Sequence, residues 1–146
     1  MVNAERQRAV LALLGAGLVL SVIAACVPLL AQQVLEDHIR DGYPAYSDGR
    51  VDSAVTAWLA LLATLGGLGV VGWLVSIVAV RRQRRARLVV TVMATLGLGV
   101  SLTAALTQDT SGEVGLAPLF GLLVLLPCVA GVVAAVLVWR LRQPGR

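Results

Sequence analysis

The groups in this 146-residue chain that can do acid–base, metal or redox chemistry are eight carboxylates, twelve basic residues, one histidine and two cysteines. They are densest in Glu36-Asp37-His38-Ile39-Arg40-Asp41. On a helix Asp37 and Asp41 share a face and His38 borders them. Glu36, Asp37, His38 and Asp41 are therefore candidates for outer-face contact or for weak binding of a divalent cation, because carboxylate and imidazole both ligate such ions. The plainer alternative is a solvated face on which Arg40 pairs with Asp37 or Asp41. Cys26 and Cys128 form no Cys-x-x-Cys pair. Counted along their apolar segments at 1.5 Å per residue, their depths differ by roughly 8–12 Å. A disulfide needs Cα atoms within ~7 Å. Ile23-Ala24-Ala25-Cys26 follows a short basic leader as a bacterial lipobox does. Val27-Pro28-Leu29-Leu30 keeps the chain apolar where a polar tether is usual, so cleavage before Cys26 is not expected. Gly67-Leu68-Gly69-Val70-Val71-Gly72 spells a dinucleotide fingerprint but has no strand before it and no ribose-binding acid after it. No catalytic residue, metal set or cofactor is expected, and the chain is not expected to be an enzyme.

The elements that carry these groups are set by composition. Hydrophobic residues make up 58% and charged residues 14%, against roughly 45–50% and 25% in soluble domains. Mean hydropathy is +0.87. This excludes a disordered chain, a disulfide scaffold and most soluble enzymes. Residues 9–31, 53–80, 88–108 and 114–139 contain no charge. Each has at least the ~20 residues a helix needs to cross a bilayer core, and backbone groups in hydrocarbon must be satisfied within the segment. The expected fold is an all-α membrane protein, a four-transmembrane-helix bundle in a single domain over 1–146. No Asp, Glu, Lys, Arg or His lies deep inside a span.

Charge distribution sets the expected orientation. The N-terminal segment, the 81–87 connection and the C-terminal tail hold ten arginines, while the other connections hold two, Arg40 and Arg50, among most of the acids. Positive charge stays inside, so both termini are expected to be cytoplasmic, in a multi-pass protein of the plasma (inner) membrane. Arg81, Arg82, Arg84, Arg85 and Arg87 are then expected to contact anionic lipid headgroups, and the high pI is not read as a nucleic-acid signal.

Between the first two spans, Val34, Leu35 and Ile39 continue a helical apolar pattern. Gly42 is a plausible left-handed stop, Tyr43-Pro44-Ala45-Tyr46 a turn, and Ser47 an N-cap with Asp48 at the positive helix end. Val51, Ala54, Val55 and Trp58 resume the stripe. Helices one and two would each run roughly 33 residues, or ~50 Å, and project beyond the membrane as an outer helical hairpin, with the two tyrosines at the boundary. Thr110-Ser111-Gly112 is turn chemistry before helix four, Pro118 suits its first turn, and Pro28 and Pro127 should kink their spans.

Small residues recur at helical spacing. Gly17, Ser21 and Ala25 form one stripe; Thr91, Thr95, Gly99 and Thr103 form another, beside Gly97, Ser101 and Ala105. Gly72 with Ser76 and Gly131 with Ala135 continue the theme. Such stripes let backbones approach in lipid. They pack helices of one chain or form a homo-oligomer face. Gly17-Leu18-x-x-Ser21-x-x-Ala24-Ala25 matches Gly97-Leu98-x-x-Ser101-x-x-Ala104-Ala105, either by duplication or by shared composition.

The segment Leu35 to Tyr46 followed by Val51-Asp52-Ser53-Ala54-Val55, together with Asp109-Thr110-Ser111-Gly112 and Leu126-Pro127-Cys128, resembles uncharacterised small four-span integral membrane proteins of actinobacteria. The resemblance covers most of the chain, implies the same membrane architecture and carries no activity. The expected function is a structural or accessory interaction component of the membrane, with lipid and a membrane-protein partner or homo-oligomer as its contacts and no nucleic acid. The alternative is a small transporter or channel subunit for a neutral solute, working as an oligomer through the threonine stripe. A third reading is a divalent-cation or pH sensor at His38. Charge-coupled transport is disfavoured, since it needs an intramembrane ionisable group.

Overall fold

A computed structural model describes residues 2–82, 85–107 and 117–140. All regular structure among them is helical: α1 (Val2–Leu30), α2 (Gln32–Gly42), α3 (Asp48–Arg81), α4 (Ala86–Leu106) and α5 (Pro118–Arg140). α1, α3, α4 and α5 are long and apolar enough to cross a membrane, the pattern of a multi-pass membrane protein. Large side chains such as Leu68, Leu96 and Leu122 point outward, as they do where the solvent is lipid.

The four long helices pack in the order α3, α1, α5, α4 around the structure; α3 meets α4 much less extensively than the other neighbouring pairs meet. Two apolar clusters hold the ends. Val10, Leu14, Val80, Val90, Ala134 and Val138 join all four long helices at the end where the arginines lie. Arg6 Nη1 donates to the Arg140 carbonyl at 3.3 Å, and Gln7 Nε2 donates to the Val80 carbonyl at 3.4 Å, at the same end. At the acidic end, Leu35, Ile39, Val51, Leu62, Ala117 and Phe120 bring α2, α3 and the start of α5 together.

The acidic end departs from a continuous first helix. The chain breaks at Ala31, with φ −116° and ψ 42°. Pro28 lies inside α1, where it removes the donor that would reach the Ala24 carbonyl. The Ala31 amide still reaches the Val27 carbonyl at 2.9 Å, and Val34 N–H donates back to Ala31 O at 3.2 Å. The break frees α2 to turn its apolar face, Leu35 and Ile39, onto α3. α3 does run 34 residues in all, longer than the ~20 a bilayer core requires. Gly42 is not a left-handed stop: α2 includes it, and Tyr43 caps the helix at φ −135° with its amide on Ile39 O. Ser47 does occupy the N-cap, in extended conformation and without a side-chain cap bond; its carbonyl accepts from Arg50 and Val51 amides at 2.9 and 3.0 Å. The turn is held by stacked Tyr43 and Tyr46 rings 4.4 Å apart, with the Arg50 guanidinium 5.1 Å over the Tyr46 ring.

At the arginine end, α4 opens two residues earlier than residue 88, so Arg87 is helical. Arg85 precedes α4 in the left-handed region, at φ 53°, a conformation that side chains with a Cβ resist. Arg84 and the Thr110-Ser111-Gly112 turn lie outside the described residues. Pro118 is the first residue of α5, and Pro127 lies inside it.

Candidate functional site

Trp73 organises the middle of the molecule. On α3 it reaches across to α1, where its Nε1 donates to Ser21 Oγ at 2.7 Å. Its six-membered ring fills the space above Gly17, so that a Cβ at that position would overlap it. The same ring comes within 3.3 Å of where a Cβ on Gly131 of α5 would stand. One turn away, Gly66 lies against Ala25 so closely that a Cβ would again overlap. Gly17 and Ser21, singled out by spacing, are therefore the seat of one indole. Trp73 itself carries no spacing signal and is not among the residues the sequence singles out; a tryptophan following closely spaced glycines is the one signal that could have found it.

On the opposite side α4 leans on α5. Gly131 faces Ala94, Gly121 faces Ala105, and Cys128 Sγ donates to Ser101 Oγ at 3.3 Å. This defines the face of α4 that is covered within the chain, which is the Gly97/Ser101/Ala105 side rather than the threonine side. Within the chain, Thr95, Gly99 and Thr103 face outward, and nothing lies within 4 Å of a Cβ built on Gly99. The physical reason is that a threonine hydroxyl can bond its own helix: Thr103 Oγ1 donates to Gly99 O at 2.9 Å. Thr91 alone of that stripe meets a neighbour, accepting from Trp139 Nε1 at 3.0 Å.

Because α3 is drawn to α1 and α4 to α5, the seam between α3 and α4 stays open. The result is a cleft of about 490 Å³ bordered by Gly69, Gly72, Ser76, Met93, Gly97 and Ser101, among other apolar residues. Among the described residues no ionisable group other than the Cys128 thiol lines it. Its polar groups are already engaged: Ser76 donates to Gly72 O at 2.8 Å, and Ser101 and Trp73 have the partners given above. The two apolar clusters flank it at the two ends, and its opening is sideways, between the two helices.

The charged candidates divide between the two ends. At the acidic end Arg40 bridges Glu36 and Asp48, each at 2.9 Å. This replaces the expected pairing with Asp37 or Asp41. Glu36 stands one helical turn before Arg40, the favourable i, i+4 arrangement, and the turn delivers Asp48. Its hydrogen bonds to the Glu36 and Asp48 carboxylates hold the Arg40 guanidinium above its ordinary range. Asp37 and Asp41 are exposed and His38 is half-buried. Among the described residues no three metal-ligating side chains come together, so the cation arrangement of Glu36, Asp37, His38 and Asp41 is not formed: Glu36 is turned to Arg40. Both cysteines are free, Cys26 exposed and Cys128 half-buried.

At the arginine end Arg81, Arg82 and Arg85 are exposed. Arg87 is different. Its guanidinium lies 5.3 Å over the Trp139 ring, and its buried Nη2 has no acceptor among the described residues. No family model, curated protein or solved structure matches the chain.

Proposed function

We propose that this protein is a structural or accessory component of the plasma membrane, with both termini on the cytoplasmic side, that offers the α3–α4 cleft to an apolar partner within the bilayer. The observation that carries this reading is the direction of the opening. The cleft opens sideways towards lipid, while the Val10/Val80/Val138 cluster and the Leu35/Val51/Phe120 cluster stand between it and the two ends. A route for a solute across one chain would have to pass through both clusters. The reading involves no reaction and no cofactor. The orientation rests on the ten-to-two division of arginines.

The experiment is photocrosslinking in intact membranes from a photoreactive residue at Met93, inside the cleft, and from one at Leu96's outward neighbour Gly99. Capture of a membrane component from position 93 and not from 99 supports the accessory role. Flux of a neutral solute in liposomes, abolished by Gly97→Leu, would replace it with the transport reading.

A further inference from the structure

Resting on that reading of the cleft, we infer that its occupant is one acyl tail of an anionic phospholipid, with the phosphate held by the arginines where α3 passes to α4. Size selects the occupant. Along α3 the cleft extends from Leu62 to Ser76, a distance of ~21 Å at 1.5 Å per residue. This exceeds half of a ~30 Å hydrocarbon core, the depth of one leaflet. A volume of about 490 Å³ spread over that length suits a slender hydrocarbon chain better than a helix, which with its side chains is ~10–12 Å across.

The lining agrees. Ser76 is bonded to its own helix, Ser101 accepts from Cys128, and the Trp73 N–H is taken by Ser21. Nothing in the cleft asks for a polar group, so the buried length of the occupant is apolar. Charge then selects the headgroup. Arg81, Arg82 and Arg85 stand free at the junction of the two helices that border the opening. Arg87, one turn below Val90 in the lining, keeps a buried guanidinium nitrogen with no acceptor among the described residues. A buried donor without a partner is costly, and a phosphate oxygen is the acceptor that a guanidinium binds best. Trp139 holds this guanidinium in place from the α5 side, while Arg81 and Arg82 end α3 and Arg85 caps α4.

The test is native mass spectrometry of the full chain in detergent, titrated with phosphatidylglycerol or phosphatidylcholine of equal chain length. The wild type should retain phosphatidylglycerol in preference. Gly97→Leu places a branched side chain in the cleft, where a Cβ meets nothing within 4 Å. It should lower retention about tenfold, the effect of displacing about two buried methylenes. Gly67→Leu adds the same atoms at a position with equally open surroundings but outside the lining, and should change nothing. Arg87→Gln should narrow the preference for phosphatidylglycerol over phosphatidylcholine. If Gly97→Leu does not purify, Gly97→Val carries the same comparison. Equal retention of both lipids by the wild type, or equal retention by Gly97→Leu and wild type, overturns the inference. A dimer that Gly97→Leu converts to a monomer overturns it in favour of a second copy covering the cleft. If position 93 crosslinks a protein while no lipid is retained, the lipid inference falls and the accessory reading stands; if Gly97→Leu alters neither lipid nor crosslink, both fall.

Discussion

Gly17→Ala is the sharpest test of the packing logic, because one added carbon meets one ring. A Cβ at Gly17 overlaps the Trp73 ring, which is itself backed by Gly131 and tethered to Ser21. The tether to Ser21 and the approach of Gly131 limit how far the indole can give way. Overpacking of this kind costs about 1–3 kcal/mol. Replacing glycine by alanine inside a helix returns up to ~1 kcal/mol, so the net loss should be about 0–2 kcal/mol. Gly67→Ala, in open surroundings, should gain up to ~1 kcal/mol by the same propensity. The two variants should therefore differ by about 1–3 kcal/mol, and that difference is independent of the propensity assumed. A double-mutant cycle isolates the cause. In a Trp73→Phe background the six-membered indole ring is gone, and Gly17→Ala should behave like Gly67→Ala. The assay is reversible unfolding in mixed detergent micelles followed by tryptophan fluorescence or circular dichroism. If Gly17→Ala is as stable as Gly67→Ala with Trp73 present, or if Trp73→Phe leaves its cost unchanged, the seat described for Trp73 is refuted.

Leu35→Asp should lower the melting temperature far more than His38→Ala, since Leu35 is wholly buried between α2 and α3 and a charge there has no partner; a larger effect of His38→Ala would return the outer acids to a functional role. Arg85→Gly should raise stability by roughly 0.5–1 kcal/mol, because glycine adopts the left-handed conformation found there without steric cost; no gain in thermal unfolding would show that the arginine compensates through its side chain. Arg40 is held above its ordinary range, so its contribution is fully present below that range and is lost only as pH rises through the raised value; a melting temperature flat between pH 6 and 9 is expected of this group, and a step in that window abolished by Arg40→Gln would contradict it. Reporter fusions at Gly49 and at the C-terminus should score on opposite sides of the membrane, and agreement between them would sink the proposed orientation.

Hydropathy and charge in the sequence alone determined where the four long apolar helices lie, that α3 overruns the bilayer thickness, and which face of α2 is buried. The reason is contrast. α2 is a mixed polar and apolar segment, so Leu35 and Ile39 stand out against Asp37, Arg40 and Asp41. Within the spans that contrast is absent, since lipid is as apolar as a neighbouring helix and does not tell a helix which way to turn. α4 carries two small-residue registers side by side, Thr95/Gly99/Thr103 and Gly97/Ser101/Ala105, and both satisfy the same spacing rule. Only the packing of α5, through Gly131 on Ala94 and Cys128 on Ser101, decided which register is covered. The same holds for the cleft: glycines on α3 and α4 permit close approach, but whether the two helices close depends on what else each is drawn to. Trp73 pulls α3 towards Gly17 and Ser21, α5 holds α4, and the gap between them is a property of the assembled helices. Arg40 follows the same rule at the acidic end, where its pairing with Asp48 depends on the path of the turn, and the break at Ala31 sets that path.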